Sequence, residues 1–342
     1  MTDSALSFSM ILETANLELA DLAVLRQCLD SIAAQTVGVR TAREIVMVEG
    51  GEVPTEQLEK LRADYQWLSI DSIPPGTGYE EAKLMGVNFT SGEILVFFDA
   101  DCVYEPTWLH GLLVDGLQAH PKIGLLGGET MIHTNTVWGM ISALLFSFDF
   151  YTDRIRIYEH ERFHFNNFAI RRDILLKHPF PGRQPLFRTS SLLYSAELRQ
   201  AGINLARQPL SRARHAAPNG WRHFFWRYLM FGHDAATVLQ LSKERNERSA
   251  DVTSKAFGTG LVPNLTGLIA HRLKAVVKRV RYLIIEDPAN WRRLPIALPM
   301  AGLGLGLMLM GYLFFSISPR LLPAVMPSRI KLGTGFAERT SA

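Results

Sequence analysis

The chain of 342 residues has only two cysteines, Cys28 and Cys102, and neither belongs to a CxxC or Cys/His cluster. This scarcity excludes a disulfide framework and argues against a structural zinc site, so we expect both thiols to be reduced. A net charge of only +3 gives no indication of a nucleic-acid partner. Residues 1–7 have no basic start, and the apolar stretch 8–12 is too short for a secretory signal.

Charged residues are also absent from one long segment near the C-terminus. Residues 294–317 contain no Asp, Glu, Lys or Arg, and the segment is long enough to cross a bilayer. Seven Lys and Arg residues lie upstream within 272–293, against four downstream of the segment. The positive-inside rule therefore predicts a single-pass protein of the cell membrane whose globular part is cytoplasmic. The alternative is a helix buried in a soluble core.

The region before this segment, 221–293, has the pattern of amphipathic helices. Apolar residues recur at helical spacing between 269 and 284, and Lys and Arg residues occupy the remaining positions. Such a helix is typical of a membrane interface. A helix packed on the globular domain with a solvated charged face would show the same pattern. Residues 318–342 form a tail of undefined topology.

The first part of the chain alternates short apolar runs with helical patterns. Runs at 8–12, 45–48 and 94–98 predict buried strands, and the spacing of apolar residues at 22–32 and 79–88 predicts helices. This order predicts an α/β fold with a mostly parallel sheet flanked by helices. After residue 128 the pattern becomes irregular and aromatic-rich, and we expect a substrate-binding half there.

Two carboxylates, Asp99 and Asp101, follow the apolar run 94–98 directly. The carboxyl end of a buried strand is where open α/β sheets bind their ligands. Alternate residues of an extended segment point the same way, so both side chains are expected to approach one cation. Carboxylate oxygens favour Mg²⁺ or Mn²⁺, often together with substrate phosphates. The pair therefore predicts a metal-assisted site for a nucleotide diphosphate.

Four further stretches stand in a fixed order around this pair. They are Ile-Leu-Glu-Thr-Ala-Asn at 11–16, Ile-Val-Met-Val-Glu at 45–49, Gly-Tyr-Glu-Glu-Ala-Lys-Leu-Met-Gly at 78–86 and Asn-Asn-Phe-Ala-Ile-Arg-Arg at 166–172. Over roughly 6–235 the chain resembles the family 2 glycosyltransferases. The resemblance implies a GT-A domain at 1–235, with a nucleotide-binding half at about 1–128 and an acceptor half at about 129–220.

The resemblance also assigns roles to individual residues. It implies that a nucleotide-diphosphate sugar contacts Glu13, Glu49, Lys83, Asp99, Asn167 and Arg171. It implies that Asp99, Asp101 and His215 hold Mn²⁺ or Mg²⁺, and that Asp101, Asp99 and Arg188 take part in catalysis. Considered singly, Glu49 is as well explained as a turn or helix-cap acid, and Lys83 as a solvated helix residue.

The chain departs from the family at the catalytic base. Family members that transfer sugar to a hydroxyl usually have an acidic pair ahead of a helix, and here the corresponding positions are close to Ser190 and Ser191. No Asp or Glu occurs between Asp173 and Glu197. Serine cannot act as a general base near neutral pH.

Three explanations of this departure are open. The acceptor could already be ionised, as a lipid phosphate is, and be held by Arg183 and Arg188. Another side chain could supply the base, with Asp153, His164 and His178 as candidates. Finally, catalysis could be lost while nucleotide-sugar binding is retained.

The expectation that combines these observations is a membrane-anchored, metal-dependent and inverting hexosyltransferase. It would move sugar from a nucleotide-diphosphate sugar to a lipid-linked or cell-surface glycan acceptor, in contact with membrane lipids. The alternative is a catalytically inactive membrane protein that binds a nucleotide sugar and acts as a partner or scaffold.

Overall fold

The structure is a computed structural model, and it describes residues 6–14, 22–145, 148, 150–180, 190–217, 220–244, 265–319 and 322. Within two of the helices, the side chains of 239, 242–244 and 265–275 are outside this description. Some of the predictions above also fall outside the described residues. They concern Arg183, Arg188, the end of the 11–16 stretch and most of the 318–342 tail.

Nine strands and ten α-helices are assigned in the described residues. The strands are β1 Phe8–Glu13, β2 Ile45–Glu49, β3 Ser69–Ser72, β4 Ile94–Asp99, β5 Cys102–Tyr104, β6 Ile123–Ile132, β7 Tyr158–Glu159, β8 Asn167–Arg171 and β9 Asn204–His215. The helices are α1 Leu22–Ala33, α2 Thr55–Asp64, α3 Tyr79–Gly86, α4 Trp108–Leu112, α5 Val137–Leu144, α6 Arg172–Lys177, α7 Ser190–Gln200, α8 Trp221–Glu244, α9 Leu265–Glu286 and α10 Leu294–Ile317. The predicted strands and helices of the first hundred residues are all confirmed, with boundaries shifted by a few residues.

All nine strands join one sheet in the order β3-β2-β1-β4-β8-β6-β9-β5, with β7 paired to β9. The first four strands are parallel, as the alternation of strands and helices predicts. Beyond them the sheet is mixed, because β8 runs antiparallel to both β4 and β6, while β6 and β9 are parallel. The α/β class with flanking helices is confirmed.

Strand β6 continues through Gly127 and Gly128 to Ile132, although the sequence pattern becomes irregular there. These glycines do not interrupt the strand but let neighbouring atoms approach it. A Cβ atom on Gly128 would lie 2.2 Å from the Ser211 carbonyl oxygen and 2.3 Å from Asn167 Oδ1. A glycine at this position is therefore explained by tertiary packing and not by turn formation.

Helices cover both faces of the sheet, and the close approach of α3 positions the site described below. Gly86, at the end of α3, sits against Ile11 of β1, where a Cβ atom would lie 2.6 Å from the isoleucine Cγ2. The final glycine of the 78–86 stretch therefore allows α3 to lie tightly against β1. On the opposite face, Leu25 and Leu29 of α1 and Trp108 of α4 are completely buried.

Helix α10 packs on α8 through glycines that bring the two backbones together. A Cβ atom on Gly232 would lie 1.8 Å from the Met308 carbonyl oxygen, and one on Gly311 would lie 1.9 Å from the Leu229 carbonyl oxygen. The opposite side of α10 has large exposed apolar residues, namely Ile296, Leu298, Leu303, Leu309, Met310, Tyr312, Leu313 and Ile317. Within the described residues, one helical segment, Pro288–Ile317, is long and apolar enough to cross a membrane.

Helix α9 is attached to the globular domain along part of its length. Leu283 is completely buried, and Tyr282 stacks on Phe150 with ring centroids 4.3 Å apart. Arg279 donates hydrogen bonds to the carbonyl oxygens of Ala143 and Phe148, at 2.8 and 3.2 Å. Val277 and Ile285 of the same helix are exposed. The helix therefore combines a packed face with an uncovered apolar edge.

Helix α10 has a glycine that contacts α8, Gly311, and one that does not, Gly306, and the two together test this packing. Gly311→Ala should destabilise the protein by about 1–3 kcal/mol, because the methyl group overlaps the α8 backbone. Gly306→Ala is the matched control, since a Cβ atom there would meet no described atom within 4 Å beyond its own helix backbone. We expect it to be neutral or to stabilise the helix by up to about 1 kcal/mol. Thermal unfolding of both variants in the same detergent measures the difference, and equal midpoints would contradict the packing.

Candidate functional site

Acidic residues from three neighbouring strands line the carboxyl edge of the parallel sheet. The register places Glu13 of β1 opposite Asp99 of β4, and β2 ends with Glu49 on the other side of β1. All three side chains are buried. The edge where a ligand is expected in this fold therefore has a concentration of carboxylates that require cationic or hydrogen-bonding partners.

Asp99 is held by residues of α3. The Lys83 ammonium group lies 2.6 Å from Asp99 Oδ1 and also donates to the Phe98 carbonyl oxygen at 3.1 Å. The Tyr79 hydroxyl donates to both carboxylate oxygens, at 3.0 and 2.8 Å. Lys83 is completely buried, so it is not the solvated helix residue that was its alternative interpretation. Its charge compensates that of Asp99 in the interior.

Asp101 lies beside His215 instead. Strand β5 pairs antiparallel with β9 so that Cys102 is opposite His215, which brings His215 Nε2 to 3.5 Å from Asp101 Oδ1. The His215 Nδ1 atom lies 2.7 Å from the Ala216 carbonyl oxygen. Because a carbonyl only accepts, Nδ1 carries a proton, and Nε2 is the ring nitrogen that faces Asp101. This is the arrangement found in metal-binding histidines.

The donor atoms of Asp101, Cys102 and His215 all lie within 4.8 Å of one another, and all three residues are buried. Burial, followed by the charges of Asp101 and Asp99, raises the pKa of the Cys102 thiol well above its usual range. The Asp101 carboxylate and the His215 imidazole are the oxygen and nitrogen donors here that could hold a divalent ion. A carboxylate with an imidazole fits Mn²⁺ or Mg²⁺ better than a thiolate site would.

The structure therefore gives the two aspartates different surroundings. The strand ends at Asp99, and a turn at Ala100 and Asp101 separates it from β5. The prediction of a shared cation assumed that residues 99–101 are extended, so that alternate side chains point the same way. That rule does not apply across this turn. Asp99 is bonded to Lys83 and Tyr79, whereas Asp101 faces His215.

Glu49 is engaged by the turn that follows β2. Its Oε1 atom accepts hydrogen bonds from the backbone N–H groups of Gly51 and Val53, at 2.7 and 2.9 Å. Gly51 adopts a positive φ of 96°, which favours glycine at this point of the turn. This geometry matches the turn interpretation of Glu49. Contact with a nucleotide base stays a prediction for this residue.

Asn167 and Arg171 lie at opposite ends of β8, since Asn167 pairs with Phe98 beside Asp99 and Arg171 pairs with Ile94. The Asn167 side chain is completely buried, accepts from Trp108 Nε1 at 2.7 Å, and donates to the Glu129 and Ser211 carbonyl oxygens. Arg171 pairs with Ile94 at the start of β4, roughly 16 Å along the strand from Asp99. Its guanidinium donates to backbone carbonyl oxygens of 117 and 123. Donor binding by Asn167 and Arg171 therefore stays a prediction, and in this structure their polar groups bond within the protein.

The proposed base candidates have different surroundings. Asp153 is exposed. The Phe148 ring contacts both His164 and His215, with its centroid 5.0 and 4.9 Å from the centroids of the two imidazoles. The His178 carbonyl oxygen accepts from the Tyr194 hydroxyl at 2.7 Å. None of these contacts joins a candidate base to Asp101.

A carboxylate that the sequence did not indicate lies where the family's acid was expected. The Ser190 hydroxyl, at the start of α7, donates to Oε1 of Glu80 in α3. The two residues are 110 positions apart, so no local motif could connect them. The only sequence signal was the position of Glu80 within the 78–86 stretch.

A second acid missed by the sequence analysis is Glu129 of β6. It is buried and accepts hydrogen bonds from the Thr152 backbone and hydroxyl, at 2.9 and 2.6 Å. Burial raises the pKa of the Glu129 carboxyl above its usual range, and the Thr152 hydrogen bonds oppose that shift. Arg212 lies 3.9 Å away. These contacts show that Glu129 ties the 150–152 segment to the sheet.

Comparisons with known proteins agree with the geometry. Residues 18–178 match the family described as glycosyl transferase family 2, which confirms the resemblance over that segment. No curated protein matches the chain at a significant level. His215 lies beyond the matched residues.

Three solved structures share the fold. The chain is similar to GalNAc-T7 with UDP, GalNAc and Mn²⁺ at 16% identity and a TM-score of 0.51, covering 64% of this chain but only 44% of that one. It is similar to the mannosyltransferase PcManGT from Pyrobaculum calidifontis with GDP-Man and Mn²⁺ at 15% identity and a TM-score of 0.59, covering 92% and 88%. It is similar to S. aureus TarS 1-349 with UDP-GlcNAc at 14% identity and a TM-score of 0.53, covering 92% and 91%. At these identities the likeness shows the GT-A fold.

The buried pair predicts a large effect of Lys83 on stability. Lys83→Met should cost about 3–5 kcal/mol, because it leaves the Asp99 charge buried and uncompensated. The matched control is Lys60→Met, which breaks an exposed ion pair with Glu56 on α2 and should change the free energy of unfolding far less. Chemical denaturation of both variants provides the measurement. Similar losses in the two variants would show that Asp99 does not depend on Lys83.

Proposed function

We propose that this chain, whose residues 18–178 match glycosyl transferase family 2, is a membrane-anchored and metal-dependent glycosyltransferase. It transfers a hexose from a nucleotide-diphosphate sugar to a lipid-linked or cell-surface glycan acceptor on the cytoplasmic side of the cell membrane. The observation that carries the proposal is the convergence of Asp101 and His215 at the carboxyl edge of the sheet, beside the buried Asp99–Lys83 pair.

The donor is supported by the position of the acidic edge and by the neighbours in fold. Two of these neighbours were solved with a nucleotide or nucleotide sugar together with Mn²⁺, and a third with UDP-GlcNAc. In this chain Asp101 and His215 would hold the ion, and Glu13 and Asp99 would border the nucleotide. When bound there, Mn²⁺ or Mg²⁺ supplies positive charge that offsets the negative charge on the departing diphosphate.

The protein's own residues prepare this edge for a diphosphate. Lys83 and Tyr79 hold the Asp99 carboxylate in one orientation, so it needs no reorganisation when the donor binds. The hydrogen bond from His215 Nδ1 to Ala216 fixes the imidazole ring in the same way. A single displacement at the sugar carbon then inverts its configuration, which is the outcome that the family resemblance implies.

Membrane attachment is supported by the uncovered face of α10. The helix is long and apolar enough to cross a bilayer, and its exposed side has leucine, methionine and tyrosine residues. Trp291 is exposed immediately before it, next to Arg292 and Arg293. An aromatic residue and cations at this position fit the cytoplasmic interface of a span.

The alternative of an inactive nucleotide-sugar-binding protein rested on the missing acid near Ser190. The contact between Ser190 and Glu80 places a carboxylate at that location. This contact favours the enzyme over the scaffold.

Removal of the proposed metal ligands tests the donor site. Asp101→Asn and His215→Ala should each weaken Mn²⁺-dependent binding of UDP- or GDP-hexoses by at least about tenfold. Asp115→Asn is the control, since this aspartate is exposed and pairs with His110. Isothermal titration of the purified full chain, with and without Mn²⁺, gives the affinities. Unchanged Mn²⁺-dependent affinity in both ligand variants would remove the metal role.

Lysines on the uncovered face of α10 test the anchor. The double variant Leu303→Lys and Leu309→Lys should lose membrane integration. Both leucines are exposed near the middle of α10, and a lysine at the centre of a span costs about 2.5–3.5 kcal/mol. Leu176→Lys is the control, because Leu176 is also an exposed leucine but lies on α6. Extraction of membranes with alkaline carbonate should release the double variant and neither the control nor the wild type. Release of the wild-type protein would contradict a membrane span.

A further inference from the structure

We propose that Glu80 is the general base of the reaction and that the acceptor is therefore a hydroxyl group, not a preformed phosphate. This inference rests on the proposed function and adds to it a catalytic residue and the chemical class of the acceptor. The starting observation is the hydrogen bond from Ser190 to Glu80, which joins the start of α7 to the start of α3.

The start of α7 has no acid of its own. No Asp or Glu occurs between Asp173 and Glu197, and Ser190 occupies the start of the helix. Ser190 is itself buried, whereas Glu80 is half-buried. Glu80 of α3 therefore supplies the carboxylate that the start of α7 lacks. Because Glu80 is half-buried, its carboxylate can release a proton to solvent.

The neighbours of Glu80 connect it to the donor site. Tyr79 precedes it and donates its hydroxyl to both oxygens of Asp99. Consecutive Cα atoms are about 3.8 Å apart, so Glu80 is one residue away from a side chain that touches the acidic edge. Tyr79 and Lys83 are four residues apart on one face of α3, and both contact Asp99. Glu80 lies next to that face and contacts α7.

The position of α3 relative to α7 is fixed by aromatic packing. Phe165 lies between the two helices, with its ring centroid 6.2 Å from that of Tyr79 and 6.5 Å from that of Tyr194. The Tyr194 hydroxyl, on α7, is bonded to the His178 carbonyl oxygen at 2.7 Å. Both helices are therefore held by buried rings, and the Glu80 carboxylate is placed by the fold before any substrate binds.

In the reaction, the acceptor oxygen forms a bond to the anomeric carbon of the sugar. The bond from that carbon to the diphosphate oxygen breaks, and its electron pair leaves with the nucleoside diphosphate. The acceptor hydroxyl proton passes to an oxygen of Glu80 and then to solvent. Atoms and charges balance without a further reactant. An acceptor phosphate, which is already ionised, would have no proton for Glu80 to take.

A purely structural role for Glu80 makes a different prediction. An acidic side chain near the start of α7 also stabilises that helix through its dipole and through the Ser190 hydrogen bond. In that case Glu80→Gln and Ser190→Ala should be similarly harmful, because each weakens the same contact. If Glu80 is the base, Glu80→Gln is damaging and Ser190→Ala is mild, because the serine variant keeps the carboxylate.

The experiment compares Glu80→Gln with Glu81→Gln, which makes the same change on an exposed neighbour in α3. The purified full chain is assayed with Mn²⁺ and UDP- or GDP-hexoses, with octyl glucoside as the hydroxyl acceptor and with a polyprenyl phosphate as the ionised one. Released nucleoside diphosphate is measured. We expect kcat with the hydroxyl acceptor to fall by about 10²–10⁴-fold in Glu80→Gln and to change little in Glu81→Gln.

Two further readouts separate a base from a structural residue. The donor KM should stay within about twofold in Glu80→Gln, and the acidic limb of the pH profile of kcat/KM should disappear. Ser190→Ala should keep that limb and lose less than about tenfold in kcat. Ser190→Ala also keeps the proposal testable if Glu80→Gln fails to fold. Loss of the acidic limb in Ser190→Ala would show that the limb depends on the Ser190–Glu80 hydrogen bond, and it would contradict the role of Glu80 as the base.

The outcomes separate this inference from the proposed function. If the wild type turns over and Glu80→Gln is equally active, Glu80 is not the general base, and the proposed transferase activity still stands. If the chain turns over with the polyprenyl phosphate and not with octyl glucoside, the inference of a hydroxyl acceptor is wrong, and the proposed transferase activity still stands. Mn²⁺-dependent donor binding without turnover on either acceptor removes the transfer activity, and the base is removed with it.

Discussion

The ion pair between Lys83 and Asp99 is the interaction on which the candidate site depends. It is buried, and it joins the end of the central strand β4 to the middle of α3. A charge left alone in this interior would be strongly destabilising, so the pair fixes α3 against the carboxyl edge of the sheet. Through α3 it also positions Tyr79 and Glu80. The same interaction therefore sets the surroundings of Asp99 and the location of the carboxylate that meets α7.

Asp101 belongs to a different part of the architecture. The turn after β4 directs the chain into β5, and the antiparallel pairing of β5 with β9 brings His215 to Asp101. The parallel half of the sheet thus provides one acid, and the mixed half provides the imidazole. A divalent ion held between them would connect the two halves at the point where a diphosphate is expected.

Several side chains that fit the family pattern are used by the protein interior. Asn167 bonds Trp108 and two backbone carbonyl oxygens, and Arg171 bonds carbonyl oxygens at the opposite edge of the sheet. Glu49 closes a turn. Their polar groups provide hydrogen-bond partners for backbone groups that are buried or lie in a tight turn. Such backbone groups need partners as strictly as a ligand does. A motif identifies such residues, but only their hydrogen-bond partners show whether they bond within the protein.

The sequence by itself determined strands β1, β2 and β4, helices α1 and α3, the acidic pair and the long apolar helix, because periodicity and composition report local burial. It did not determine that β6 continues through Gly127 and Gly128, since the close neighbours of those glycines come from distant strands. Only the tertiary structure decided which acid faces His215 and which carboxylate meets Ser190. Those contacts join residues more than a hundred positions apart, and their formation depends on how the helices and strands pack, not on any local pattern.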